Sequence, residues 1–162
     1  MYGEDRRRSE LARRDILAEL CDRFPEGVGE AASQRPGRAW AAVSIDALRP
    51  VTEFLLGYDP GAYLSTISAV DTGEEFQAIY HFWVAGTELN LRVKLDRQEP
   101  AVPSIMDLHP GANFYEREIH DLMGIEVTGR GKLERLVVPD GWPEGHYPLR
   151  KDWPGLPGGE SA

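Results

Sequence analysis

The sequence predicts an α+β domain, an antiparallel sheet with helices packed on one face, continued by an extended C-terminal tail. Three observations lead there. Tyr63 to Val70, Phe76 to Val84 and Leu89 to Leu95 are rich in β-formers and joined by short glycine-bearing links, which makes them consecutive antiparallel neighbours. Helical periodicity precedes and follows this run. From Pro139 onward, prolines and aromatics recur without a period. The chain thus divides into a domain over residues 1–138 and a tail over 139–162. A chain of this length buries roughly 70% of its unfolded surface, enough for one core.

In chain order, Arg6 to Phe24 reads as an amphipathic helix with Leu11, Ile16, Leu20 and Phe24 at helical spacing, stopped by Pro25 and Gly27. Ala31 to Gly37 reads as loop. Ala39 to Ile45 reads as a strand with Val43 and Ile45 inward. Asp46 is the expected cap of a short helix, Ala47 to Leu56, ending at Gly57, with Pro50 in its first turn. In the third sheet segment Leu89, Leu91, Val93 and Leu95 alternate inward, leaving Asn90, Arg92 and Lys94 outward. His81 lies on a strand with Ile79 and Trp83, and a lone histidine there is more often a satisfied structural residue than a ligand.

Ile105 to His109 reads as a helical turn ended by Pro110-Gly111. Next, Tyr115, Ile119, Leu122 and Met123 mark one face of a helix. Asn113 is its expected N-cap with Glu116 as capping-box partner, and Gly124 its left-handed end. The other face carries Glu116, Arg117, Glu118, His120 and Asp121, with Arg117–Asp121 and Glu116–His120 at i,i+4 spacing. Glu116 and His120 sharing a metal with His109 or His146 is one chemical alternative; acid–base work by Glu118 and Asp121 is another. Neither comes with a second ligand motif or a nucleophile, so solvated or interfacial ion pairs are the favoured account. Leu133 to Val138 reads as a short strand or helical turn. The tail's Trp142, Tyr147, Leu149, Trp153 and Leu156 need apolar cover, which argues against a free disordered segment and for order on a partner or on this domain.

The formal charge of −9 disfavours nucleic acid and anionic lipid as partners and otherwise means a solvated acidic surface. No apolar run is long enough to span a bilayer and the N-terminus has no secretory pattern, so the expected compartment is cytoplasmic. Cys21 is the only cysteine, which excludes a disulfide within the chain and a cluster held by this chain alone. No metal or cofactor is expected on the chain.

GANFYEREIHDLMGI, followed by ERLVVPDGWPEGHYPLRKDWP, resembles the C-type (30 kDa) subunit of respiratory complex I and its homologues in membrane-bound, energy-converting NiFe hydrogenases. YLSTISAVD and AVPSIMDLHPGA are similar to the corresponding upstream segments, so the resemblance runs from about Tyr63 to Trp153. It implies a non-catalytic α+β subunit of the peripheral, cytoplasm-facing arm of a complex I-like membrane redox complex. Such a subunit lacks cofactors and packs on the hydrogenase-like (49 kDa-type) large subunit near the cluster-bearing small subunit. Iron–sulfur clusters, and possibly a NiFe centre, belong to the rest of the complex, and membrane contact runs only through it. The implied interface comprises Glu116, Arg117, Glu118 and Asp121 on the helix. On the tail it comprises Trp142, Tyr147, Leu149, Arg150, Lys151, Asp152 and Trp153, with Arg150, Asp152 and Trp153 as anchors on the large subunit.

Many quinone-reducing members carry Gly-His-Pro where this chain has Gly129-Arg130-Gly131, and the ending from Trp142 to Arg150 is closer to the hydrogenase-associated branch. The expectation is therefore a hydrogenase or formate hydrogenlyase type complex. The alternative is the C-type subunit of NADH:quinone oxidoreductase; a distant one is a stand-alone metal-dependent hydrolase built on Glu116 and His120.

Overall fold

The structure, a computed structural model, describes residues 16–155. Leu11, Leu156 and the outer parts of the expected first helix and tail lie outside the described residues. Residues 16–23 are helical (α1), with Ile16 and Leu20 fully buried. Five strands then form one sheet in the order β1-β2-β5-β4-β3: Val28–Arg35 (β1), Arg38–Val43 (β2), Tyr63–Asp71 (β3), Phe76–Val84 (β4) and Thr87–Leu95 (β5). Ile45–Tyr58 (α2) follows β2. Ala112–Met123 (α3) lies between two short strands, Ala101–Pro103 (β6) and Glu126–Thr128 (β7), which pair in parallel.

The centre of the sheet follows the expected alternation. Phe82 faces Leu89, Tyr80 faces Leu91 and Ala78 faces Val93 in the antiparallel β4–β5 register, and all six side chains are withdrawn from water. A bulge between Leu64 and Thr66 lets both Leu64 and Ile67 reach the same core. On the covered face Leu48, Val51 and Leu55 of α2 and Ile119 and Met123 of α3 complete it. Burying a side chain of this kind contributes about 1.5–3 kcal/mol each, so the β4–β5 pair is the mechanical base for everything attached to it.

Several expectations are corrected. Ala31 to Arg35 is strand, not loop; β1 is an edge strand whose residues are almost all exposed, so it has no apolar alternation to read. The β2–β5 pair is parallel, Ala39 against Leu89 and Ala41 against Leu91, inserting a long-range pairing into the antiparallel run. Ser44, not Asp46, caps α2 by accepting from the Ala47 N–H at 3.3 Å. Ile45 is consequently the first helical residue and 40% exposed instead of inward. The helix runs through Pro50 and Gly57 to Tyr58; one lost backbone bond at Pro50 is outweighed by the buried Leu48–Val51–Leu55 stripe. Asn90 is buried, because its amide donates to the Ala39 carbonyl and accepts from His81. Leu133 to Val138 forms neither strand nor helix, since its backbone is taken up by side chains of α3.

Candidate partner-docking surface

α3 reads as an amphipathic helix with one polar face, and that face turns out to be divided. Glu116 has no solvent exposure. It accepts from the Ser104 hydroxyl (2.8 Å), the Ile105 N–H (2.7 Å) and Arg130 Nη1 (2.8 Å). Arg130 also donates to Asn113 Oδ1 at 2.6 Å, so Asn113 is not a cap; Gly111 occupies that position without a side-chain bond. The capping box is therefore replaced by a buried, charge-assisted cluster joining α3 to the loops after β6 and β7. Gly124 does end the helix in the left-handed region, at φ 67°.

The expected Arg117–Asp121 and Glu116–His120 pairs do not form. Arg117 donates to the Glu134 and Arg135 carbonyls at 2.8 and 2.7 Å. Asp121, also buried, accepts from the Leu136 and Val137 N–H groups at 2.7 and 2.9 Å. The two side chains supply the 134–137 backbone with the partners a neighbouring strand would otherwise give. His120 donates through Nδ1 to the Ile125 carbonyl at 3.0 Å, away from Glu116. Among the described residues no three His, Cys, Asp or Glu side chains gather as a metal site. Glu118 alone of the four carries its charge on an exposed surface.

The tail is fastened to this domain. The Leu149 N–H donates to the Leu122 carbonyl (3.1 Å) and Arg150 Nε to the Met123 carbonyl (2.7 Å). The Arg150 guanidinium lies 4.9 Å from the Phe76 ring centre and 4.4 Å from that of Tyr147. A Cβ on Gly124 would overlap the Tyr147 ring, so this glycine is required twice, for its φ and for the tail's approach. Asp71, at the end of β3, accepts from the Lys151 N–H at 2.9 Å, the Gly73 N–H at 2.8 Å and both Arg97 Nη atoms. Arg97 bridges on to Asp152 at 3.1 Å. Arg97 first, with the Lys151 and Gly73 N–H groups, holds the Asp71 carboxyl at about 2 despite its burial. Trp142 Nε1 donates to the His146 carbonyl (2.7 Å), and the Trp142 and Trp153 rings meet at 6.2 Å.

Arg150 and Asp152, expected to hold the tail on a partner, thus hold it on its own domain, and Glu116 and Asp121 are interior. Several side chains remain outward here. Phe114 and Leu149 are more than half exposed, Leu136 and Val137 nearly so, and Glu118, Lys151 and Asp152 are exposed. Beside them a cleft of about 920 Å³ opens between residues 132–138 and 140–147, walled by His120, Lys132, Glu134, Trp142, His146 and Tyr147. Apolar knobs beside a wide polar-walled cleft suit a polypeptide surface. The sequence reading misses Ser104, Arg130, Asp71 and Arg97, none of which carries a periodic signal. His81 is a satisfied structural residue, bonded to Ser68 at 3.0 Å and to Asn90.

The family model described as respiratory-chain NADH dehydrogenase, 30 Kd subunit, matches residues 41–157. The C-type subunit of the F(420)H(2) dehydrogenase of Methanosarcina mazei is 36% identical over 148 residues, 89% of this chain and 93% of that protein. Formate hydrogenlyase subunit 5 of Escherichia coli is 35% identical over 142 residues, which are 84% of this chain but 25% of that protein. Among solved structures, a chain of the membrane-bound sulfane sulfur reductase, an archaeal respiratory membrane complex, superposes with a TM-score of 0.74 at 27% identity. That superposition covers 86% of this chain and 84% of the other. With the signature helix and tail both placed, this chain belongs to the family of the 30 kDa subunit of respiratory-chain NADH dehydrogenase.

Proposed function

We propose that this chain is a non-catalytic peripheral-arm subunit of a complex I-like membrane redox complex. It docks on a hydrogenase-like large subunit through the face made by Phe114, Leu136, Val137, Leu149 and the adjoining cleft, with the cluster-bearing small subunit nearby. The observation that carries this reading is the Escherichia coli relative, in which a domain matching most of this chain occupies a quarter of a much longer polypeptide. Covalent joining there is the intramolecular counterpart of docking here. Redox centres are supplied by the partners, since Cys21 is the chain's only cysteine and the buried carboxylates are committed to internal partners. Among the described residues no helix is long and apolar enough to cross a membrane; attachment at the cytoplasmic face runs through the complex.

The parent complex is of the energy-converting NiFe hydrogenase or formate hydrogenlyase type, a reading supported by the same relative. An NADH:quinone oxidoreductase is the second reading, supported by the family description. The test is affinity purification of the tagged chain, at native expression, from gently solubilised membranes. Recovery of a hydrogenase-like large subunit is expected, with nickel in the purified complex. The large subunit without nickel, together with quinone reductase activity, selects the second reading. A lone monomer sinks both, and stoichiometric zinc or manganese on that monomer would return the hydrolase alternative.

A further inference from the structure

The helices cover one face of the main sheet and leave the other open. On the open face Tyr63 pairs with Trp83 and Val70 with Gln77 across β3–β4, and Tyr63, Val70 and Trp83 are each more than 40% exposed. Towards β2, a depression of about 170 Å³ has Trp40, Arg92, Arg38, Gln34 and His81 in its walls. The Arg92 guanidinium stacks 4.8 Å from the Trp40 ring centre. The neighbouring cations have carboxylates, Arg38 with Glu88 at 2.9 Å and Lys94 with Glu75 at 3.5 Å; among the described residues Arg92 has none. Both ring nitrogens of His81 are occupied by Ser68 and Asn90, so the imidazole is a wall of the depression and Arg92 its free donor.

We infer that this open sheet face is a second docking surface, separate from the tail cleft, for a segment of another protein subunit that inserts a carboxylate side chain against Arg92. Stacking on Trp40 pre-orients the planar guanidinium for two-pronged carboxylate binding. Exposed tryptophan, tyrosine and arginine around it are the residue types that dominate interface energetics. Charge decides the occupant. In a chain of formal charge −9, this face carries one cation more than its carboxylates neutralise, so it attracts an acidic segment. A second copy of this chain is the poorer fit, because a two-fold contact sets a surface against itself and would face Arg92 with Arg92. The inference goes beyond the proposed function, since it concerns the opposite side of the sheet from α2 and α3.

The experiment places a photo-crosslinking phenylalanine derivative at Trp83 in the tagged full-length chain, in native membranes, and identifies the linked peptide by mass spectrometry. A parallel probe at Leu149 reports on the tail cleft. The expected product at Trp83 is one other subunit, joined at a peptide containing Asp or Glu. Arg92→Glu should lower its yield about tenfold, Arg92→Gln less, and replacing the mapped acid by arginine should restore the Arg92→Glu yield. Both variants alter an exposed face, so unchanged melting of the purified chain serves as the folding control. Linkage only to a second copy, no linkage, or a yield insensitive to Arg92→Glu overturns the inference. Because the Leu149 probe is scored independently, failure at Trp83 leaves the cleft reading standing, and the converse.

Discussion

The sheet and the segment after β7 are ordered by different physics. In β4 and β5 every second residue is apolar and buried against several others, so the load is spread and the pattern repeats. From residue 129 onward no strand or helix forms in the described chain. There a few side chains each hold several backbone groups: Arg117 and Asp121 hold residues 134–137, while Arg150 and Asp71 hold residues 149–151. A segment without periodicity is thus given one conformation by polar anchors sited in buried places. The cost of that arrangement is that little is redundant.

The sharpest way to break this contrast is at Glu116. Glu116→Ala removes the acceptor of Ser104, Ile105 and Arg130 and leaves a mostly buried guanidinium without its carboxylate. Loss of one partner of a buried pair costs about 3–5 kcal/mol, as much as the roughly 2–5 kcal/mol expected for Leu91→Ala in the sheet. Urea unfolding of the purified chain measures both. A loss below about 1 kcal/mol for Glu116→Ala would mean that packing, not the anchor, holds α3 to its loops.

Asp71 comes next. Asp71→Asn exchanges charged hydrogen bonds to Arg97, Lys151 and Gly73 for weaker ones and should cost about 2 kcal/mol near neutral pH. The sign follows from the carboxyl being held low, at about 2 in the folded chain. Its contribution is complete above the unfolded value of about 3.9 and is lost as pH falls through the folded value. The gap between wild type and Asp71→Asn should therefore close between about pH 4 and pH 2. A gap that stays constant over that range would assign the loss to shape instead of charge.

The same contrast explains what the sequence could and could not disclose. Strands β3, β4 and β5, the Ile119–Met123 stripe and the Gly124 end are legible because their cause is local, a period of two or of 3.6. Glu116 reads as outward because a charge on a helix is assigned to water by default; its partners Ser104 and Arg130 lie 12 and 14 residues away. Asp71 and Lys151 are separated by 80 residues, and no periodicity joins them. The tail's aromatics do signal burial, but not whose surface buries them. The parallel β2–β5 pairing is equally hidden, as β1 and β2 reach β5 across the whole of α2, β3 and β4.

The smallest effects on stability belong to the tail residues that face outward, and here the contrast is sharpest within neighbouring positions. Arg150 is enclosed by Phe76 and Tyr147 and bonded to the Met123 carbonyl; Arg150→Ala should destabilise the isolated chain by about 2 kcal/mol. Leu149 beside it is 59% exposed and contributes its backbone N–H, not its side chain, to the fold. Leu149→Ala should therefore change unfolding by less than about 0.5 kcal/mol while reducing recovery of the large subunit from membranes. Arg150→Ala should lower both together. If Leu149→Ala leaves recovery intact, the outward tail face is not the docking surface; if it lowers the melting temperature as Arg150→Ala does, the tail's apolar side chains share in the core and the division between anchors and knobs fails.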